Sequence, residues 1–149
     1  MSENNKNIEK KNKYVNLMSK LTRATNNEYY YEAIFIVYSI LEDRTESLLK
    51  HAKINYVDDK GHNYKLSKKL NMINSREEFQ DKYIRKHITT ELIEGIVEWK
   101  RKRDKIMHDI IKIEYDNEDI KNIALAGECL VKKLNNKTNF VNKYLDRKI

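Results

Sequence analysis

The sequence predicts an all-α protein: an antiparallel (up-and-down) helical bundle with four main helices plus short connecting helices. Its 149 residues include no proline and only three glycines, so few positions can interrupt a helix. Leucine, isoleucine, valine and tyrosine recur at the spacing of amphipathic helices. The length suits one ordinary domain. We therefore expect residues 1–149 to form a single helical domain, with residues 1–7 as a flexible polar N-terminus.

The first two helices follow from amphipathic spacing. The first, over residues 8–23, has apolar side chains on one face and lysines opposite. Asn26 or Asn27 should cap the second. Its segment from Ala33 to Leu41 is apolar on nearly every side, as expected at the centre of a bundle. Its expected core positions are Tyr31, Ile34, Phe35, Tyr38, Leu41, Leu48, Leu49 and Ala52.

A turn and two short helices should lead to the next long helix. Asp58-Asp59-Lys60-Gly61 is the clearest turn in the sequence. A short helix around Leu66–Ile73 follows it. Ser75 and Glu78 form a capping-box pattern, which predicts another short helix from Phe79 to Ile84.

Two long helices complete the predicted bundle. Thr89 or Thr90 should cap a helix over residues 91–112. Asn117 precedes two acidic residues that favour a helix N-terminus, so it should cap the last helix. Asn135-Asn136 is the point at which that last helix could break.

The composition limits the classes of protein and of site. A net charge of +7 suits a polyanionic partner such as RNA, and it equally suits an ordinary lysine-rich surface. Cys129 is the only cysteine, which excludes an internal disulfide and a thiolate zinc site. No apolar run reaches the ~20 residues of a membrane-spanning helix, and the polar N-terminus lacks a signal peptide's apolar stretch. We expect a cytoplasmic protein that needs no metal or other cofactor and does not associate with membranes.

The helix over residues 91–112 contains the residues with the clearest chemical potential. Arg103 interrupts its apolar face, and a guanidinium placed there needs a partner or a polyanionic ligand. His108 follows five residues later, and imidazole exchanges protons near neutral pH. Asp104 lies one helical turn before His108, so its carboxylate can hold one ring nitrogen and fix the tautomer.

These groups suit cleavage of RNA without a metal. The imidazole can take the proton of a ribose 2′-hydroxyl or give a proton to the leaving 5′-oxygen. The guanidinium can bind the phosphate and stabilise the charge that develops there. Because the attacking group is the 2′-hydroxyl, the substrate is RNA. The reaction needs one group to accept a proton and one to donate a proton, and a dimer would supply a second histidine for this purpose.

The segment Arg103-Asp104-Lys105-Ile106-Met107-His108 resembles the signature of HEPN domains, in which four residues, the first polar, separate an arginine from a histidine. The stretch from Asn27 to Leu49 is similar to a long helix of that family, with an alanine after an acidic-aromatic start and the pair Leu41-Glu42. Residues 66–70 resemble the segment between the two helices. The resemblance covers about residues 25–135, and only its arginine–histidine motif is specific.

The resemblance implies a homodimer that pairs through the motif-bearing helices and forms one RNase cleft from two motifs. Arg103 would bind the scissile phosphate, His108 would act as acid or base, and Asp104 would orient the histidine or position RNA. Glu42 would steady the arginine from the neighbouring helix. The family includes toxins, abortive-infection proteins and CRISPR-associated RNases, so an antitoxin or defence-system protein is a further candidate partner. Ile110 stands where toxins paired with nucleotidyltransferases often have tyrosine, which argues against that form of control.

Other interpretations stay open at this level. The chain could be a non-catalytic helical module that binds RNA or a protein, or it could be an antitoxin or inhibitor. Arg44 and His51 form a second arginine–histidine pair, but the preceding Asp43 and the nearby helix end explain both as structural residues. A group of basic residues beside the motif would either contact RNA phosphates or form a solvated helix face: Lys100, Arg101, Lys102 and Lys105.

Overall fold

The computed structural model describes residues 2–112 and 114–148, and within these ranges the chain has six α-helices and no β-strand. The long helices are α1 (Glu3–Asn26), α2 (Tyr30–His51), α5 (Thr90–Asp109) and α6 (Asn117–Lys148). The short ones are α3 (Leu66–Ser75) and α4 (Lys82–His87), with a single 3-10 turn at Glu77–Phe79 between them. The predicted all-α fold is confirmed. In the part of the chain that is described, no helix combines the length and apolar character needed to cross a membrane.

α2 is the central helix, and it packs most extensively against α6. The two helices run in the same direction, because Ser47 bonds to Asn142 and, one turn further along both helices, His51 bonds to Asp146. α1 is joined to α2 by a tight reversal at Glu28, where φ is 63°. α2 therefore runs back along α1, and its C-terminal part lies beside the N-terminal part of α1.

A close approach between α5 and α6 determines where the motif-bearing helix lies. Trp99 is buried, and its indole Nε1 donates a hydrogen bond to the carbonyl of Ile123 at 2.9 Å. Gly127, one turn later on α6, leaves room for the indole, because a Cβ there would lie 2.8 Å from the ring. Gly95 faces Leu130, so α5 runs opposite to α6. The four long helices thus alternate in direction along the chain, as in an up-and-down bundle.

α1 begins earlier than the sequence indicates. The hydroxyl of Ser2 accepts a hydrogen bond from the backbone N–H of Asn5 at 3.4 Å, and the helix starts at Glu3. Residues 1–7 were expected to be a flexible polar extension, but from Glu3 onward they are helical. Met1 lies outside the described residues.

Asn26 and Asn27 end α1 rather than begin α2. The backbone N–H of Asn27 still bonds to the carbonyl of Arg23 at 3.0 Å, which makes Asn27 the C-cap of α1. α2 starts at Tyr30 without a side-chain cap. The predicted cap is wrong because the chain turns two residues later than expected.

The capping box predicted at Ser75 and Glu78 is also wrong. Ser75 is the last residue of α3, and its hydroxyl donates to the carbonyl of Asn71 at 2.8 Å instead of starting a helix. α4 begins after Asp81, whose carboxylate accepts a hydrogen bond from the N–H of Tyr83 at 2.8 Å.

The remaining boundaries agree only in part with the sequence. Gly61 adopts φ 82°, and its N–H bonds to the carbonyl of Asp58, so the predicted turn is confirmed. The hydroxyl of Thr89 caps α5, which ends at Asp109, three residues early. α6 continues unbroken through Asn135-Asn136.

Some residues predicted for the core lie at the surface. Tyr31 and Phe35 of α2 are exposed, and the buried face of this segment is formed by Ala33, Ile36 and Val37 instead. Because the segment is apolar nearly all round, its spacing does not select one buried face.

Replacing Gly127 by alanine should destabilise the fold, because the added methyl group would overlap Trp99 and Val37 in the core. We expect the free energy of unfolding to fall by about 1–3 kcal/mol in urea denaturation. Gly95→Ala is the matched control, since a Cβ there meets only Leu130 at 3.6 Å. That variant should be neutral or up to about 1 kcal/mol more stable. Equal losses in both variants would contradict the proposed overlap.

Candidate active site

Arg103 packs its guanidinium against the ring of Tyr38 on α2. The Cζ atom lies 4.2 Å from the ring centroid, and Nη1 donates to Oδ1 of Asp104 at 3.0 Å. The arginine side chain is 22% exposed. Its Nε–H is buried and meets no hydrogen-bond partner among the described residues. Stacking therefore holds the guanidinium in one orientation and leaves part of its donor set unused.

Asp104 is engaged by two cations. The Nζ of Lys100, one turn earlier, lies 2.5 Å from Oδ2, while Arg103 bonds to the other oxygen. Partial burial raises the pKa of the Asp104 carboxyl, but the hydrogen bonds from Lys100 and Arg103 outweigh burial and hold the pKa below its usual value. Neither oxygen bonds to His108. The expected orienting contact between Asp104 and His108 is not formed, and the carboxylate bonds to Lys100 and Arg103 instead.

His108 lies at the surface in the last turn of α5. Within residues 2–112 and 114–148 it makes no hydrogen bond and no ion pair. Arg103 and His108 differ by five positions, which places their side chains about 140° apart around the helix. The structure thus brings a fixed guanidinium and an accessible imidazole to the same end of α5 without direct contact between them.

Glu42 bonds to Lys69 and not to Arg103. Lys69 on α3 is fully buried, and its Nζ donates to Glu42 at 3.3 Å and to Glu46 at 2.6 Å. A buried ammonium needs such partners, because an isolated charge in the core is costly. The role predicted for Glu42, steadying Arg103 from the neighbouring helix, is filled by Tyr38 one turn earlier.

Two residues of this region, Tyr38 and Lys69, were not predicted from the sequence. Burial, supported by the nearby Glu42 carboxylate, raises the pKa of the Tyr38 phenol, which therefore stays protonated at neutral pH. The sequence does contain an indication of Tyr38. Arg103 on an apolar face requires a partner, and Tyr38 lies on the same face of α2 as Glu42, four residues earlier. Lys69 gives no such signal, because a lysine in a short helix is usually solvated.

The basic residues predicted to bind RNA are not equally available. Lys100 is held by Asp104, and Arg101 pairs with Glu98 at 2.6 Å. Lys102 and Lys105 are exposed and form no ion pair in the described part of the chain. Two of the four cations are thus free to meet an anion.

Neither Arg103 nor His108 lines any of three surface depressions of the molecule, one along α1, one between α4 and α6, and one between α1, α2 and α6. Across residues 2–112 and 114–148, no three His, Cys, Asp or Glu side chains are grouped so that they could hold a metal ion.

Comparison of the chain with models of protein families, with curated proteins and with solved structures finds no match. The resemblance to HEPN domains therefore stays a prediction. It depends on the Arg103–His108 motif and on the helices that surround it.

The contact between Tyr38 and Arg103 should be measurable as a coupling free energy. In a double-mutant cycle with Tyr38→Leu and Arg103→Met, urea denaturation should give about 0.5–2 kcal/mol of coupling. Tyr38→Phe keeps the ring and therefore the contact, so a cycle of Tyr38→Phe with Arg103→Met should give a coupling free energy near zero. A coupling near zero with leucine would mean that the ring does not hold the guanidinium.

Proposed function

We propose that this chain is a metal-independent endoribonuclease that acts as a homodimer, with Arg103 and His108 of both copies at a shared cleft. The single observation that supports the proposal best is that a guanidinium held over the Tyr38 ring and an exposed imidazole both lie toward the C-terminal end of α5. The HEPN resemblance suggests a toxin or phage-defence setting in the cytoplasm, with an antitoxin or another defence protein as a further partner.

The proposed reaction needs only these side chains and RNA. The imidazole of His108 takes the proton of a 2′-hydroxyl, whose oxygen attacks the adjacent phosphorus. The bond from phosphorus to the 5′-oxygen breaks, and that oxygen receives a proton from the second copy's imidazolium. The products are a 2′,3′-cyclic phosphate and a free 5′-hydroxyl. No metal takes part in these steps.

Arg103 is suited to the charge that this reaction develops. Its guanidinium already lies over the Tyr38 ring, so it loses little conformational freedom when it binds a phosphate. Two cations, Lys100 and Arg103, surround the one carboxylate of Asp104, which leaves this group with a net positive charge. Lys102 and Lys105 add exposed positive charge on the same helix. The surroundings therefore favour a phosphodiester.

A second copy is supported by exposed apolar side chains near the start of α2 and just after α5. Phe35 on α2 is 64% exposed, and Ile111, just after α5, is 95% exposed. Tyr31 and Ile110 are also exposed. Large exposed apolar side chains favour coverage by another protein surface. A twofold contact there would bring two copies of His108 together and supply the second proton-transfer group.

Cleavage of single-stranded RNA in excess chelator tests the proposal. Wild type should leave 2′,3′-cyclic phosphate ends, and His108→Ala should lower the cleavage rate by about 100- to 10,000-fold. Arg103→Ala should lower it by at least about 100-fold, because a donor to the developing charge is lost. Product ends and initial rates are measured on labelled RNA, and circular dichroism checks that each variant folds.

His62→Ala and Arg76→Ala are the matched controls, because both residues are exposed and lie outside α5. They should cut at the wild-type rate. Equal cleavage by wild type and His108→Ala would overturn the proposal. Salt-dependent RNA binding without any cleavage would favour the non-catalytic module instead.

Phe35→Asp should weaken both self-association and cleavage, because it places a charge in the proposed twofold contact. Sedimentation velocity should show a shift toward monomer, and the cleavage rate should fall with it. Leu125→Asp, the same kind of change at another exposed apolar position, should do neither. A wild-type chain that is monomeric while it cuts RNA would rule out the shared cleft.

A further inference from the structure

A second polar surface lies where the start of α1, the end of α2 and the later half of α6 meet. These helices border a groove of about 750 Å³. Five basic residues line it against one carboxylate, Asp146: Lys10, Lys11, Arg44, Lys50 and Lys143. Along α2, the groove extends from Arg44, six residues or about 9 Å from Tyr38, to His51, thirteen residues or about 20 Å from it. Neither Arg103 nor His108 lines the groove, so it is separate from the candidate active site.

Most of the positive charges in the groove have no acidic partner in the described part of the protein. The one lining carboxylate, Asp146, is taken by Nδ1 of His51 at 2.7 Å. Arg44 is buried, bonds to Asp43 at 2.6 Å and lies over the ring of Tyr14. Lys10 also pairs with Asp43, at 3.8 Å. The other three cations have no ion-pair partner within the described residues: Lys11, Lys50 and Lys143. An anion that enters the groove thus meets an excess of positive charge.

Two buried polar groups at this groove also lack partners. Asn142 is only 9% exposed; its Nδ2 donates to Ser47 at 3.0 Å, while its Oδ1 accepts no hydrogen bond in the described residues. The hydroxyl of Tyr14 is likewise buried without a partner there. Burial raises the pKa of this phenol to about 12, so it stays a hydrogen-bond donor at neutral pH. Buried polar groups are normally paired, so this pattern points to a polar ligand.

An aromatic surface adjoins the groove at Lys143. Phe140, which is 54% exposed, and Tyr83 line a depression of about 340 Å³ that Lys143 and Arg147 also border. The rings of Tyr83 and Tyr144 lie 4.4 Å apart between centroids. No acidic residue lines this depression. Lys143 lines both depressions, so cationic and aromatic surfaces meet at one side chain.

The Tyr144 ring is fixed in this surface by Asp81 of the α4 cap. The carboxylate of Asp81 accepts a hydrogen bond from the Tyr144 hydroxyl at 2.7 Å and another from Lys148 at 2.5 Å. These contacts join α4 to the end of α6. The aromatic surface is thus held in place before any ligand arrives.

We propose that the groove and the adjoining aromatic depression form one binding surface for single-stranded RNA. Phosphates would lie along the groove cations and bases would stack on Phe140 and Tyr83, the combination that single-strand binding proteins use. A free nucleotide offers the same phosphate and base, but the groove presents five basic residues, more than one phosphate group needs. The choice of RNA rests on the proposed nuclease function, whereas the surface lies apart from Arg103 and His108.

Fluorescence anisotropy with a short, unstructured 2′-O-methyl RNA tests this surface, because the blocked 2′-hydroxyl prevents cleavage. Phe140→Ala should weaken binding at least about fivefold, the lower end for loss of one stacked base. Leu125→Ala, an exposed apolar change elsewhere on α6, should bind as wild type. Equal affinity of wild type and Phe140→Ala would overturn the stacking role.

A charge test on the same probe is independent of the aromatic one. Lys143→Gln should reduce the slope of log affinity against log salt by about 0.7, the value expected for one phosphate contact on a single strand. Lys133→Gln, an exposed lysine of α6 outside the groove, should leave the slope unchanged. An unchanged slope for Lys143→Gln, or no binding by wild type, would overturn the proposal.

Two further outcomes separate the hypotheses. If adenosine monophosphate binds wild type as tightly as the strand does, the occupant is a free nucleotide and the single-strand proposal is wrong. If wild type fails to cut unmodified RNA while Phe140→Ala and Lys143→Gln both weaken binding, the nuclease proposal fails and this surface stands. If wild type cuts RNA and neither variant changes binding, the nuclease proposal stands and this binding surface is wrong.

Discussion

Three helices meet where Trp99 of α5 lies against Gly127 of α6 and Val37 of α2. A side chain at position 127 would push these helices apart, so the glycine determines how closely α5 can approach its neighbours. Arg103 is one helical turn beyond Trp99, and Tyr38 directly follows Val37. The stacked pair at the motif therefore depends on a contact made in the core, among residues that take no part in chemistry.

The fold could be predicted from the sequence because its main signals are local. The lack of proline, the helical spacing of apolar residues and the Thr89 cap each act within a few positions, and each agrees with the structure. Predictions failed where one pattern suits two structures. Ser75 has the sequence of a helix start but bonds backward to α3, and the apolar surroundings of Phe35 do not reveal which side of α2 faces solvent.

The candidate site was only partly predictable, because its partners come from different helices. The position of Arg103 on an apolar face indicated that it needs a partner, but the sequence offered the charged Glu42 rather than the ring of Tyr38. The buried Lys69 binds the Glu42 carboxylate, so the guanidinium of Arg103 is left to the ring of Tyr38. That burial follows from the packing of α3 on α2, and no pattern within α3 itself indicates it.

The continuity of α6 has a mechanical consequence. Its 32 unbroken residues form a rod about 48 Å long. Gly127 anchors it beside the motif-bearing helix, and Lys143, sixteen residues later, lies at the far groove, about 24 Å along the axis. A stiff rod keeps that interval constant, so the core contact at Gly127 and the groove at Lys143 stay at a fixed spacing.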